Sequence, residues 1–120
     1  MTNKEIVLKF YDEIFNAWTV EGLERFMRED YKQHNQTVRD GRAGFIEFAG
    51  FFFQQHPKMR VVKILEDGDM VCVFFECTVD SGVNKVCDLY RLQDGLLAEH
   101  WDVVQHLDPD APCFNSNGNF

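Results

Sequence analysis

The sequence predicts one α+β domain, with helices in the N-terminal half packed on one face of a largely antiparallel sheet in the C-terminal half. Two observations support this class. Before Pro57, apolar residues recur at three- and four-residue spacing, which is typical of amphipathic helices. After Pro57, the chain is rich in β-branched and aromatic residues that are divided by short turns containing glycine. Helices followed by strands favour a layered fold.

The first helix is predicted from its capping box. The Thr2 hydroxyl and the Glu5 carboxylate can each satisfy a free backbone amide at the start of a helix. Behind this box, apolar residues from Ile6 to Trp18 recur on one face. This stretch is therefore predicted as a helix whose apolar side packs on the sheet.

Two further helices are predicted before the strands. Thr19 is expected to cap a short one that ends near Arg28, and Asp40 is expected to cap a third. The third helix ends before Pro57, because a residue that precedes proline avoids the helical conformation. Residues 30–39 lie between these helices and are polar and irregular, which predicts a short strand or a loop.

The strands are predicted over residues 59–66, 70–79, 85–92 and 96–107. Side chains alternate between the two faces of a strand. Asp88 therefore shares a face with Tyr90, and His100 shares a face with Asp102. Alternation alone leaves open which of these faces points inward.

Composition bounds the size and class of the protein. The 120 residues are 45% hydrophobic and 14% aromatic and include 12 phenylalanines, more aromatic mass than a minimal core needs. This excess fits a domain that also lines a cavity. A single domain is predicted over residues 1–120, with a structured core at about 3–107 and a loose C-terminal tail at 108–120.

The charge balance excludes several partners. Twenty acidic against 12 basic residues give a net charge of −8, and no basic cluster stands out, so nucleic acids and anionic membranes are not expected to bind. No stretch approaches the ~20 apolar residues of a membrane span, and the default location is cytoplasmic. The four cysteines lack metal-ligand spacing, and those in strand-like segments are expected to be buried, reduced thiols.

Two segments resemble a known family. Residues 31–35 (YKQHN), followed by Asp40-Gly41, are similar to the first motif of SnoaL-like proteins, which belong to the nuclear transport factor 2-like superfamily. Residues 87–95 (CDLYRLQDG) and 99–105 (EHWDVVQ) are similar to the last hairpin of that family. The likeness extends over about residues 3–107.

This resemblance implies a cone-shaped half-barrel, in which a curved antiparallel (mixed) sheet and three N-terminal helices enclose a pocket. It also implies a homodimer. The superfamily includes polyketide cyclases, ketosteroid isomerases, scytalone dehydratases and limonene epoxide hydrolases, together with members that only bind a ligand or a protein. Fold alone therefore does not fix the function.

The resemblance also places candidate residues. Asp88 corresponds to the carboxylic acid in the oxyanion hole of ketosteroid isomerases, an acid kept neutral by an apolar site. The same alignment turns Asp88, His100 and Asp102 toward the cavity. It puts His34 or Asn35 near the position of the isomerase base, and neither is a carboxylate. The isomerase's tyrosine donor has no clear match, because Tyr11 lies about a turn too early. Steroid isomerisation is therefore not favoured.

The site prediction follows from these positions. We expect Asp88, His100, Asp102 and His34 to be catalytic, since carboxyl and imidazole groups in an apolar cavity can be tuned to move protons near neutral pH. The expected ligand contacts are Tyr31, Asn35, Phe52, Tyr90 and Val104.

Three functions remain open from the sequence. One is an acid/base enzyme without metal or cofactor that cyclises, isomerises or dehydrates a small apolar carbonyl compound. Another is a module that binds a ligand or a protein without turnover, and the last is a purely structural polar network. On the opposite strand face, Trp101 and Val103 predict a homodimer through the convex side of the sheet.

Overall fold

A computed structural model describes all 120 residues. Its helices and strands are α1 (Asn3–Phe10), β1 (Met27–Gln33), α2 (Gly41–Phe52), β2 (Lys58–Asp67), β3 (Met70–Val79), β4 (Gly82–Gln93) and β5 (Leu96–His106). None of the helices combines the length and the apolar character needed to cross a bilayer.

The five strands form one mixed sheet in the order β1-β5-β4-β3-β2. β1 runs parallel to β5, and the other neighbours are antiparallel. Irregular pairing interrupts β1–β5, β2–β3 and β4–β5, and irregularities of this kind bend strands and increase their twist. The predicted α+β class with a curved, mixed sheet is confirmed.

The structure has two α-helices rather than three. The chain leaves α1 through a π-helical turn, Tyr11–Phe15, and the predicted second helix is a single 3₁₀ turn, Leu23–Arg25. Met27 already belongs to β1, and the amide of Leu97 in β5 donates to the carbonyl of Phe26 at 2.7 Å. Pairing with β5 therefore outweighs the local helical pattern.

Asp40 precedes α2 but does not cap it as predicted. Its carboxylate instead accepts a hydrogen bond from the backbone amide of Gln33 at 2.8 Å. Asp40 thus ties the end of β1 to the start of α2, and this contact fixes the loop that carries residues 34–39.

The core lies between the helices and the face of the sheet that carries them, here called the inner face. Phe10, Phe15 and Phe45 pack edge-to-face or tilted, with ring centroids 5.2–5.8 Å apart. Tyr11 and Tyr90 extend this cluster toward β4 and are buried. Much of the aromatic excess in the sequence is thus core, and the remainder borders a cavity.

The opposite, outer face of the sheet is only partly covered. Residues 107–120 contain no helix or strand, and the ring of Phe120 packs on Phe74 with a centroid distance of 6.0 Å. The domain limits and the cytoplasmic location stay predictions.

The cysteines are free thiols. Cys72 and Cys87 lie on the outer face with their sulfur atoms 3.4 Å apart. Burial, followed by the hydrogen bond with Cys72, raises the pKa of Cys87 to about 11. Burial and then the Asp88 charge raise the pKa of Cys77 to about 11. Both groups are therefore protonated at neutral pH, as expected for inert thiols.

Candidate active site

The β4–β5 hairpin brings the predicted acidic and imidazole groups together. Asp88 pairs directly with Asp102 across the two strands, and Tyr90 pairs with His100. All four side chains lie on the inner face, which settles the question that alternation left open. Directly opposed residues in a sheet have side chains in contact range, so the hairpin alone assembles most of the site.

These residues line a cavity of about 200 Å³. Its apolar wall includes three phenylalanines of α2, together with Phe15 and Phe75. The predicted ligand contacts all border it, namely Tyr31, Asn35, Phe52, Tyr90 and Val104. The cavity is thus apolar over most of its surface, with polar groups concentrated along β4, β5 and the end of β1.

Asp88 accepts hydrogen bonds from three donors. The hydroxyl groups of Tyr11 and Tyr90 lie 2.5 and 3.0 Å from Oδ2, and Nε2 of His100 lies 2.9 Å from Oδ1. Asp88 therefore acts as a hydrogen-bond acceptor for these groups, whereas the oxyanion-hole acid that the resemblance implied is a hydrogen-bond donor. Burial and then the Asp88 charge raise the pKa of both tyrosines, which therefore stay protonated.

Tyr11 was missed by sequence reasoning, which placed it a turn too early to reach the site. The π-helical turn begins at this residue, and the amide of Asn16 bonds its carbonyl at 2.8 Å. Such an i to i+5 bond inserts an extra residue into the turn and changes the direction of the side chains that follow. The Tyr11 hydroxyl bonds Asp88, so the expectation drawn from the resemblance is wrong for this residue.

A raised pKa and hydrogen-bonding partners on both ring nitrogens favour the imidazolium form of His100. Its Nδ1 lies 2.7 Å from Oε1 of Gln33, and that oxygen also accepts the backbone amides of His34 and Asn35 at 3.1 Å. A backbone amide can only donate, so the Gln33 atom is the oxygen and Nδ1 must carry a proton. Burial alone lowers the pKa of His100, but the Asp88 charge and hydrogen bond outweigh it, and the net pKa is raised.

Asp102 keeps acceptor capacity that faces the cavity. Its two oxygens accept hydrogen bonds only from the Asn35 side-chain amide, at 3.2 and 3.1 Å. The Asn35 oxygen in turn accepts the backbone amide and the hydroxyl of Thr37, at 3.0 and 2.7 Å, which fixes the orientation of the amide. Asp102 is half-buried and borders the cavity. Of the two carboxylates, Asp102 is therefore the one that can take a proton from a bound molecule.

Tyr31 supplies a hydroxyl that no other protein group uses. The residue is only 3% exposed and borders the cavity, and its hydroxyl makes no hydrogen bond within the protein. Its ring lies nearly parallel to that of His100, with centroids 6.4 Å apart. Burial, and then the charges of Asp88 and Asp102, raise the pKa of Tyr31. The group is thus a neutral hydroxyl that borders the cavity without a hydrogen-bond partner in the protein.

The structure does not bring His34 to the cavity, which corrects the fourth predicted catalytic residue. Gln33 pairs with His100 in the parallel ladder, and the amide of His34 bonds the His100 carbonyl at 3.0 Å. Alternation therefore turns Gln33 inward and His34 outward. On the outer face, His34 stacks on Trp101 with centroids 4.7 Å apart, and its Nε2 lies 2.7 Å from Glu99.

Glu99 also forms a cross-strand ion pair with Arg91. Arg91 Nε lies 3.0 Å from Glu99 Oε1, and the two residues are directly opposed in the β4–β5 pairing. The hydrogen bond from His34, followed by that from Arg91, lowers the pKa of Glu99. This pair lies on the outer face and has no part in the cavity.

His106, which was not among the predicted site residues, borders the cavity beside Asn84. Strand alternation could have indicated this position, because residue 106 has the same parity as residues 100 and 102.

The donor atoms of Asp88, His100 and Asp102 lie within 4.8 Å of one another, close enough to surround a metal ion. Since His100 already donates through both nitrogens, metal binding requires that it first lose a proton.

Comparisons with known proteins give the family and the fold. The sequence profile of the SnoaL-like domain matches residues 7–100. Among solved structures, IdmH, described as a putative polyketide cyclase from Streptomyces antibioticus, superimposes with a TM-score of 0.76 at 19% identity, covering 87% of this chain and 92% of that one. A putative ketosteroid isomerase from Kribbella flavida gives 0.75 at 22% identity, covering 92% and 83%.

An NTF2-like protein of unknown function from Cytophaga hutchinsonii is similar to the same extent, with a TM-score of 0.75, 18% identity and coverage of 88% and 91%. Sequence comparison with curated proteins finds no match. At these identities the structural neighbours establish the shared architecture, and the chemistry must be argued from the site itself.

Proposed function

Since the chain belongs to the SnoaL-like family, we propose that it is an acid/base enzyme that needs no cofactor and acts on a small, apolar carbonyl compound bound in the cavity. One observation carries the proposal. A carboxylate with free acceptor capacity, Asp102, and an unpartnered hydroxyl, Tyr31, border the same largely apolar cavity. Proton removal next to a carbonyl needs this pair of functions.

In the proposed reaction, Asp102 takes a proton from the carbon next to the carbonyl, and the Tyr31 hydroxyl donates a hydrogen bond to the oxygen of the forming enolate. The enolate then attacks a second carbonyl, is protonated at a different carbon of its conjugated system, or expels a β-hydroxyl group. In each case Asp102 returns its proton, to the new alkoxide, to that carbon or to the hydroxyl that leaves as water. These outcomes correspond to aldol-type cyclisation, isomerisation and dehydration. The imidazolium of His100 adds a fixed positive charge that stabilises the developing anion, and Asp88 holds that ring in place.

Acetophenone provides a simple test, because it has one ring, a carbonyl and exchangeable methyl protons. In heavy water the protein should accelerate replacement of these protons by deuterium, measured by proton NMR, well beyond a buffer control. Saturable binding without accelerated exchange would instead favour the alternative, a ligand-binding module without turnover. Failure to bind any carbonyl compound of this size would count against both.

Replacing Tyr31 with phenylalanine is expected to slow the exchange about 100-fold, as for loss of one oxyanion donor. The melting temperature should stay nearly unchanged, because the hydroxyl has no partner in the protein. Tyr90→Phe is the matched control, since the Tyr90 hydroxyl bonds Asp88 and its removal should lower the melting temperature. A Tyr31→Phe variant with full exchange activity would remove Tyr31 from the mechanism.

We further propose that two copies pair through their outer sheet faces. Val103 is 74% exposed at the centre of β5, and the neighbouring Trp101 is only half-buried beneath His34. Light scattering should give twice the mass of the chain, and Val103→Asp should halve it without loss of folded structure. A wild-type protein that stays monomeric at high concentration contradicts this assembly.

A further inference from the structure

The charges that border the cavity do not balance. Asp88 is compensated by the His100 imidazolium, whereas Asp102 is bonded only to the neutral amide of Asn35. Neither lysine nor arginine borders the cavity. His106 lies four residues beyond Asp102 in β5, about 13 Å along an extended strand, and its ring bonds Asn84. The cavity therefore carries one uncompensated negative charge, at Asp102.

The walls of the cavity suit a positive charge as well. Phe48 and Phe52 of α2 border it with ring centroids 5.0 Å apart, and Phe45 adds a third ring from the same helix. Aromatic faces attract cations through the ring quadrupole. The net charge of −8 draws cations toward the protein as a whole.

The volume limits the size of the ligand. An apolar cavity of about 150 Å³ holds benzene. The cavity here, at about 200 Å³, fits one ring with a short polar substituent. A second fused ring exceeds this space unless side chains move.

We propose that the cavity binds small, one-ring compounds that carry a protonated amine, with the ammonium group donating to Asp102 and the ring lying against the phenylalanines of α2. The Tyr31 hydroxyl oxygen is a second acceptor for the same ammonium group. A carboxylate ligand of equal size is excluded, because it would bring a second uncompensated negative charge into a poorly hydrated space. This binding preference needs no turnover and thus goes beyond the proposed function.

The test compares three ligands that differ mainly in charge, namely benzylamine, benzyl alcohol and benzoate. Each is titrated into the full-length protein by calorimetry at neutral pH, low ionic strength and in the presence of a chelator, which removes metal ions as competitors. We expect benzylamine to bind at least about tenfold more tightly than benzyl alcohol. Benzoate should show no measurable binding.

Substitutions test whether Asp102 causes the preference for the protonated amine. Asp102→Asn should lower the benzylamine affinity to near that of benzyl alcohol, while the benzyl alcohol affinity itself should change much less. Asp67→Asn removes one negative charge from an exposed position on β2 and should keep the full preference. Tighter binding of benzyl alcohol than of benzylamine, measurable binding of benzoate, or an undiminished preference in Asp102→Asn would overturn the proposal. Because these ligands are not substrates, the result stands apart from the deuterium-exchange test of function.

Discussion

Asp88→Asn should destabilise the domain by about 3 kcal/mol, the usual cost of removing one partner from a buried charge pair. Asp88 is 5% exposed and His100 is 8% exposed, so neither group has water as a replacement partner. An asparagine oxygen can still accept the two tyrosine hydroxyls, but its amide group then faces the His100 donor. Chemical denaturation at neutral pH measures the loss, with Asp67→Asn as the control for the change in net charge.

The pKa of His100 provides a second measurement on the same variant. The pKa of His100 is raised in the folded state. The ion pair with Asp88 therefore contributes its full stabilisation at pH values below the ordinary histidine pKa of about 6.5. This stabilisation is lost as the pH rises through the folded-state pKa. In Asp88→Asn the main cause of the increase is gone while burial remains, and the pKa of His100 should fall. A variant with wild-type stability and an unchanged His100 pKa in an NMR titration would contradict the ion pair.

The sequence predicted the parts of the site that depend on local geometry. His100 and Asp102 share a strand face because side chains alternate, whereas the family resemblance placed Asp88 beside them. The resemblance then indicated which face is inward. For this reason most of the predicted cavity residues were placed correctly.

Two of the errors have a common cause, which is pairing between residues distant in sequence. His34 points outward because β1 runs parallel to β5 and Gln33 is opposite His100, a register that no local pattern in residues 30–39 reveals. The same pairing converts the predicted second helix into a single 3₁₀ turn before β1. The error at Tyr11 has a separate origin, the alignment with the isomerase, since the Tyr11 hydroxyl does reach Asp88 from the π-helical turn after α1.

The distinct roles of the two carboxyl groups were also beyond the sequence. Both lie on the inner face of one hairpin, and alternation treats them alike. They differ in their donors, since Asp88 meets two hydroxyls and an imidazolium from three separate elements, whereas Asp102 meets only Asn35. Hydrogen-bond partners of this kind are set by tertiary packing.

This difference predicts opposite outcomes for the two equivalent substitutions. Asp102→Asn should reduce deuterium exchange into acetophenone by at least about 100-fold, the lower range for loss of a general base. Its melting temperature should be unchanged or raised, because the only hydrogen bonds lost are those to Asn35, and an active-site charge held in an apolar cavity often lowers stability. The affinity for acetophenone itself should persist, since a neutral ketone does not need the charge.

Measuring rate, stability and affinity together separates the possible roles of Asp102. Loss of exchange with retained stability and binding identifies a base, and Asp67→Asn should match the wild type in all three. Loss of stability to the extent expected for Asp88→Asn would make Asp102 part of the scaffold. Full exchange activity in Asp102→Asn would rule out Asp102 as the base. The other cavity carboxylate, Asp88, already accepts hydrogen bonds from three donors, so no group would remain to perform the proposed proton transfer.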